Sequence, residues 1–375
     1  MMKRVILVCY CLVTVSISAL AQENNPAKPA EINNFPAPSV DKRIELLSIV
    51  FRLAGNWEYN DDQYKSYIAD IHQHFDPYSE HELIAFARKL RDNNGVSFDA
   101  VMKMAIHLSP PPELNPVVPF TEDIPERRWG KDPAIKFVKL LQQFYADARC
   151  DAFFAAHEQL YKTVPERFNK VYRALDITWY QQYYGVQPNG RLIVVLGLGN
   201  GCGNYGPKII WPDGREDNYA IMGICPLDSL GDPEYNTDNN LPTLIHEFNH
   251  SYVNHLTDQY KPEFQSSGEK LYGIVKERMR RQAYGNWQTM LNEALVRASV
   301  VRYYLNHDSD TGVAIAKMIT EFNNGFFWIN DLVNCLGDYE ANRTKYPTLE
   351  SYMPVLVDFY NKTADNSGSL FNIKK

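Results

Sequence analysis

Two histidines four residues apart, with a glutamate directly after the first, constrain this chain more than any other feature. His246-Glu247-Phe248-Asn249-His250 lies inside the stretch Thr243 to Val253. On an α-helix, residues i and i+4 share a face one turn apart. The segment must therefore be helical if both imidazoles are to meet at one point. That spacing lets two ring nitrogens grip one Zn²⁺ at about 2.0–2.1 Å each. Glu247 then projects beside the metal, where it can take a proton from a water. Leu244, Ile245, Phe248 and Val253 supply an apolar underside. Asp238, Asn239 or Asn240 is expected to cap the helix, with Pro242 in its first turn.

A metal held this way needs a third protein donor. His255 is five residues past His250 and is rotated off the metal face, and Asp258 lies too far along the same helix. The longer His-x-x-Gly-x-x-His pattern is absent, because Val253 and Leu256 hold its glycine and histidine positions. Glu293 is the third candidate. It sits in Trp287 to Ala298, a helix-favouring stretch whose only other charge is Arg297. A buried glutamate needs a partner, and zinc would be that partner. The alternative is a plain i, i+4 ion pair with Arg297. Asn292 is the candidate to support the ligand from behind.

His246-Glu247-x-x-His250 with the later Asn292-Glu293-Ala294-Leu295 resembles the gluzincin group of zinc metallopeptidases, over about residues 186–304. The resemblance implies one Zn²⁺ per chain, completed by a glutamate from a second helix. It also implies a substrate strand beside an edge β-strand that precedes the active helix, here Asn218 to Ile224. Peptide hydrolysis would follow, with Glu247 as general base that passes the proton to the leaving amine. A Tyr, His or Arg should stabilise the oxyanion. Tyr339, in the polar stretch Gly337 to Arg343, is the first candidate, and Tyr303, Tyr304 and Tyr346 compete with it. Tyr219 to Ile224 offers no acidic anchor for a substrate amine, so an endopeptidase is expected. Two other functions fit the same residues. One is a secreted binding protein that keeps zinc without catalysis, and the other is a zinc hydrolase of a non-peptide bond. The gap from His250 to Glu293 is longer than in compact gluzincins, and its basic, helical segment Lys270 to Arg281 is expected to form a lid or a substrate wall. The helical front half together with this core is similar to a secreted bacterial family catalogued only as a domain of unknown function.

Elsewhere the chain is punctuated clearly. Lys3 and Arg4 precede the charge-free stretch Val5 to Leu20, and Ala19-Leu20-Ala21 fits a small-x-small cleavage site. Residues 1–21 therefore read as a secretory signal peptide. The mature protein is expected in the periplasm or outside the cell, with no membrane span. Export permits disulfides, and Cys202 and Cys225, which flank a strand pair, are the candidates for a bridge. Residues 22–40, with Pro26, Pro29, Pro36 and Pro38, read as a linker. Residues 41–184 carry repeated apolar helical faces. The character changes near Gly185. Arg191–Leu196, Lys208–Trp211 and Asn218–Ile224 read as strands. Gly197-x-Gly199 has Cys202 where a nucleotide fingerprint needs glycine, so a tight turn is expected instead. Residues 185–361 are expected to form the zincin-like catalytic domain and 362–375 a flexible tail. The expected fold class is α+β and mostly helical. A small mixed sheet, the helix of the two histidines and a ligand helix would form the core, behind an N-terminal helical region. A net charge of −7 lacks the basic excess of a nucleic-acid binder. The expected partner is a peptide or protein substrate, and no oligomeric state follows from these residues.

Overall fold

Helix follows helix wherever apolar residues recur at three and four. The computed structural model describes residues 34–187, 190–308 and 311–370, with side chains as far as Ser367. The expected signal peptide, and the linker as far as Asn33, lie outside the described residues. Eight α-helices come first: α1 (Lys42–Leu53), α2 (Lys65–Phe75), α3 (Glu82–Asn94), α4 (Asp99–Ile106), α5 (Lys131–Asp147), α6 (Cys150–Ala156), α7 (Glu158–Ala174) and α8 (Thr178–Tyr184). Three strands follow, β1 (Gly190–Leu196), β2 (Lys208–Ile210) and β3 (Glu216–Met222). Six helices close the described residues: α9 (Thr237–Gln259), α10 (Lys261–Arg281), α11 (Trp287–His307), α12 (Gly312–Asn324), α13 (Ile329–Ala341) and α14 (Leu349–Leu370). The protein is thus mostly helical with one small mixed sheet. Residues 34 onward form a single compact unit, so the helical front half and the part after Gly185 share one core.

Helix α1 explains how the front half reaches the sheet. Asp41 caps it by accepting from the Arg43 N–H at 2.9 Å. Every residue from Ile44 to Arg52 is buried, so α1 runs through the core. Glu45, wholly buried, accepts hydrogen bonds from the Tyr67 hydroxyl (2.8 Å) and from the backbone N–H groups of Leu198 (2.7 Å) and Gly199 (3.1 Å). Ser48 Oγ donates to Asn200 Oδ1 at 2.7 Å. These bonds pin the 3-10 turn Leu198–Asn200 that follows β1. The Leu198 and Gly199 amides thus point at a carboxylate of the protein itself.

The sheet has the order β1-β3-β2. Strand β3 runs parallel to β1 from Gly190↔Glu216 to Leu196↔Met222, and antiparallel to β2 from Lys208↔Asn218 to Ile210↔Glu216. The strand expected at an edge is therefore the central one. Six of its seven residues are buried, as befits a strand covered on both faces and both edges. It ends at Met222, two residues earlier than expected, because the chain then crosses another loop. Ile224 N–H donates to Gly201 O at 2.8 Å, and Cys225 is disulfide-bonded to Cys202. The outer side of β1 is covered too. Leu192 N–H donates to Asn34 O (2.7 Å), Ser39 N–H to Val194 O (3.2 Å) and Leu196 N–H to Ser39 O (2.9 Å). Residues 34–40, expected as linker, are thus laid against the sheet, and Phe35 stacks on Tyr172 at 4.4 Å.

Two other expectations are corrected after the sheet. Helix α10 packs against α11 and α14, with Phe264, Leu271, Val275 and Met279 buried, so Lys270 to Arg281 belongs to a packed helix and not to a free-standing lid; the substrate-wall alternative is untouched by this packing. Helix α14 runs to Leu370 with Ala364 and Ser367 buried, so the tail expected from 362 is helical as far as it is described.

Burial pushes the Glu45 carboxyl up to about 7. Its folded value lies above its unfolded one, so its contribution to stability is present below about pH 4 and lost as pH rises toward 7. Relative to Glu45→Gln, the wild type should be more stable at pH 5 than at pH 8, with a slope approaching about 1.4 kcal/mol per pH unit inside that window. Urea denaturation of both proteins at the two pH values measures this. A difference independent of pH would refute it.

Candidate metal centre

Helix α9 starts earlier than its sequence suggests. Its cap is Asn236, whose side chain accepts from the Asn239 N–H at 2.9 Å, and not Asp238, Asn239 or Asn240. Pro242 consequently sits in the second turn. From there α9 runs unbroken to Gln259, and His246 and His250 emerge from one face. Their rings meet edge to face, with Nε2 atoms 3.1 Å apart. Helix α11 delivers Glu293 opposite them. Glu293 Oε2 lies 3.5 Å from His246 Nε2, and Oε1 lies 3.5 Å from His250 Nε2.

Three donors at about 2.0–2.1 Å from one tetrahedral ion lie about 3.3–3.4 Å from one another. The two ring nitrogens, and the nearer Glu293 oxygen of each ring, lie close to that value; one donor atom from each of His246, His250 and Glu293 lies within 4.8 Å of the others, a group that could hold a metal ion. Two imidazoles and a carboxylate form a donor set suited to a borderline divalent cation. His250 Nδ1 faces Asn254 Oδ1 at 3.0 Å. An acceptor there places the ring proton on Nδ1 and turns the Nε2 lone pair toward the centre. Asn254 was missed in the sequence, although its place four residues after His250 on the same helix face was a usable signal.

The charges around the centre favour a cation. Burial pushes His246 down to about 3, so its ring is neutral and free to ligate. Burial opposes ionisation of Glu293 as well. The charges of His246, His250 and Arg297 outweigh it and hold the carboxyl down at about 2. Arg297 and the Tyr284 hydroxyl are hydrogen-bonded partners of the carboxylate. Tyr284 donates to Glu293 Oε2 at 2.8 Å, and Arg297 Nε donates to it at 3.3 Å. The i, i+4 pair with Arg297 therefore exists, but it is buried and shares Glu293 with the histidines. Tyr284 is a further residue the sequence did not single out, since 24 tyrosines hide one.

Glu247 is buried against a backbone. Burial pushes its carboxyl up to about 7, and among the described residues no donor is hydrogen-bonded to it. The chain at Gly206 passes directly over it. A Cβ on Gly206 would lie 2.8 Å from the Glu247 carbonyl oxygen and 3.0 Å from its Oε2. Tyr205 pairs with Ile221 on β3 (2.9 and 2.8 Å), and Tyr219 N–H donates to Pro207 O (2.9 Å). Residues 205–207 thus extend β2 past the site as the outer rim of the sheet. In this antiparallel pairing Gly206 lies between two hydrogen-bonded positions, so its own N–H and C=O turn away from β3.

Two sequence candidates make bonds to other segments. Tyr339 is wholly buried on α13, its hydroxyl donating to Tyr183 O at 2.6 Å and its ring packed on Tyr352. It has no free hydroxyl for an oxyanion. Asn292, beside Glu293 on α11, turns its Oδ1 to accept from Thr257 Oγ1 on α9. A second tie is Asn249, wholly buried, whose amide donates to Val296 O at 3.3 Å. These two contacts set α11 against α9, one on each side of Glu293.

Residues 38–359 match the model of a family described as Domain of unknown function (DUF4932). The chain belongs to this family. No curated protein and no solved structure matches it. The match covers the front helices, the sheet and both helices of the centre in this DUF4932 chain, consistent with their single core.

Gly206→Ala should destabilise the fold by about 1–3 kcal/mol, because the methyl group overpacks against Glu247. Metal uptake should survive, since no ligand moves. Urea denaturation with elemental analysis tests this, and wild-type stability in the variant would contradict the close approach.

Proposed function

We propose that this is an exported, zinc-dependent hydrolase of peptide bonds, acting as an endopeptidase. The observation that carries the reading is the meeting of His246, His250 and Glu293 within metal-binding distance, beside a buried glutamate to which, among the described residues, no donor is hydrogen-bonded. His246, His250 and Glu293 would hold one Zn²⁺ per chain. A zinc ion in that position supplies Lewis acidity, acidifying water toward neutrality and polarising the scissile carbonyl.

Glu247 performs the proton transfers. Its raised carboxyl, at about 7, matches the working range of a general base near neutral pH. It accepts a proton from the attacking water and releases it to the leaving amine. A purely structural zinc would give such a group no task. The substrate lies along residues 204–210, not along β3, which is paired on both sides. The outward N–H and C=O of Gly206 are free to pair with an extended peptide, and they hold its scissile bond over Glu247. Asn204, Tyr205, Gly206, Pro207, Lys208, Ile209 and Ile210 include no acidic side chain. A substrate amine therefore finds no carboxylate anchor on this rim, in keeping with an endopeptidase. Export rests on residues 1–21 and on the Cys202–Cys225 disulfide, which an oxidising compartment sustains.

Glu247→Gln should retain one zinc per chain and lose at least about a hundredfold in hydrolysis of a mixed peptide substrate, the scale of general-base catalysis. Chelation of the wild type should abolish activity, and zinc should restore it. Full activity in Glu247→Gln would sink the reading. Zinc bound without any hydrolysis in the wild type would favour a binding protein or a non-peptide substrate.

A further inference from the structure

The Glu293 carboxylate receives all its hydrogen bonds on one oxygen. Tyr284 and Arg297 Nε both donate to Oε2. Among the described residues Oε1 has no donor; it lies 3.5 Å from His250 Nε2, while Oε2, already holding two donors, lies 3.5 Å from His246 Nε2. The direction of the phenolic proton follows from its neighbour. Arg297 Nη2 donates to the Tyr284 oxygen at 2.7 Å. A guanidinium accepts nothing, so the Tyr284 hydrogen goes to Glu293. Arg297 Nη1 donates to Glu321 on α12 at 2.7 Å, which keeps the guanidinium from turning. The side chains of Glu293, Arg297 and Glu321 are only 10%, 17% and 15% exposed, so little water competes for these bonds.

The backbone bends to bring Tyr284 there. Ala283 has a φ of +64°, a region L-residues other than Asn and Asp seldom enter. Tyr284 N–H donates to Met279 O (2.9 Å), and its carbonyl accepts from the Tyr272 hydroxyl (3.1 Å). An unfavourable conformation is thus kept at the residue before the one that touches a candidate ligand.

From this arrangement we infer that Tyr284 and Arg297 are positioning residues that hold Glu293 as a one-oxygen ligand through Oε1. The inference deepens the metal-centre reading and rests on it. With Oε2 engaged by the protein, the carboxylate occupies one coordination position and leaves another open for water or substrate. Without Tyr284 the carboxylate is free to turn both oxygens inward and fill the open position.

The test uses the metal-free full chain titrated with Co²⁺, followed by visible absorption and by competition with a chromophoric chelator. Wild type should bind one Co²⁺ with the intense bands of a four-coordinate ion. In Tyr284→Phe those bands should weaken as the coordination number rises, and affinity should fall about 10–100-fold, the usual cost of losing a ligand's supporting partner. Arg297→Lys keeps the charge facing Glu321 but loses the forked donor, and should move both readings the same way. It decides the matter if Tyr284→Phe does not fold, with folding followed by circular dichroism. A folded variant with the wild-type spectrum and affinity would overturn the positioning role and leave the metal centre standing. A wild type that takes up no Co²⁺ would overturn both.

Discussion

Asn249 carries its amide into the seam between α9 and α11 and donates to the Val296 carbonyl, and the rest of the site depends on that seam. Val296 lies about one turn after Glu293, so fixing one fixes the other. Thr257 and Asn292 make the second tie on the other side of Glu293. Leu244, Ile245, Phe248 and Val253 of α9 and Leu291, Ala294, Leu295 and Ala298 of α11 are buried around these contacts. A slide of α11 by a single residue would rotate Glu293 by about 100° and take its carboxylate away from both imidazoles. Polar ties inside an apolar seam are well suited to prevent such a slide, because each would be left without its partner.

A second frame holds the other wall. Glu45 and Ser48 of α1 grip the turn Leu198–Asn200, and the Cys202–Cys225 disulfide joins its far end to the segment after β3. Past these anchors the chain runs on toward β2 and crosses Glu247 at Gly206. The front helices therefore act on the site without contributing a ligand. They position the loop that becomes the open rim of the sheet. One core serves both halves of the chain, and the family match spans both.

Local chemistry was readable where it depends on spacing along one element. His246 and His250 four apart, the apolar underside of α9, the three strands within two residues of their ends and the Cys202–Cys225 pair all followed from the chain. Errors came where distant segments decide. Asn236 caps α9 because the chain enters from that side, and periodicity cannot report an entry direction. Tyr339 sits in a polar-looking stretch, yet α13 turns it inward onto Tyr183. Asn218–Ile224 read as an edge because a strand's sequence does not name its neighbours. Its unbroken apolar run Tyr219 to Met222 was the one signal for a central place.

By itself the sequence determined that two imidazoles would share a helix face with a glutamate beside them, since helical geometry leaves no other arrangement for that spacing. It also narrowed the candidate third donor to Glu293, a lone acid in an apolar helix. The tertiary structure alone decided what surrounds these groups. Long-range packing set Tyr284 and Arg297 on one oxygen of Glu293, Asn254 behind His250, and Gly206 over Glu247. Each of those contacts, apart from Asn254 and Arg297 on their own helices, joins segments whose meeting is governed by how whole helices bury their faces, which no short stretch of residues encodes.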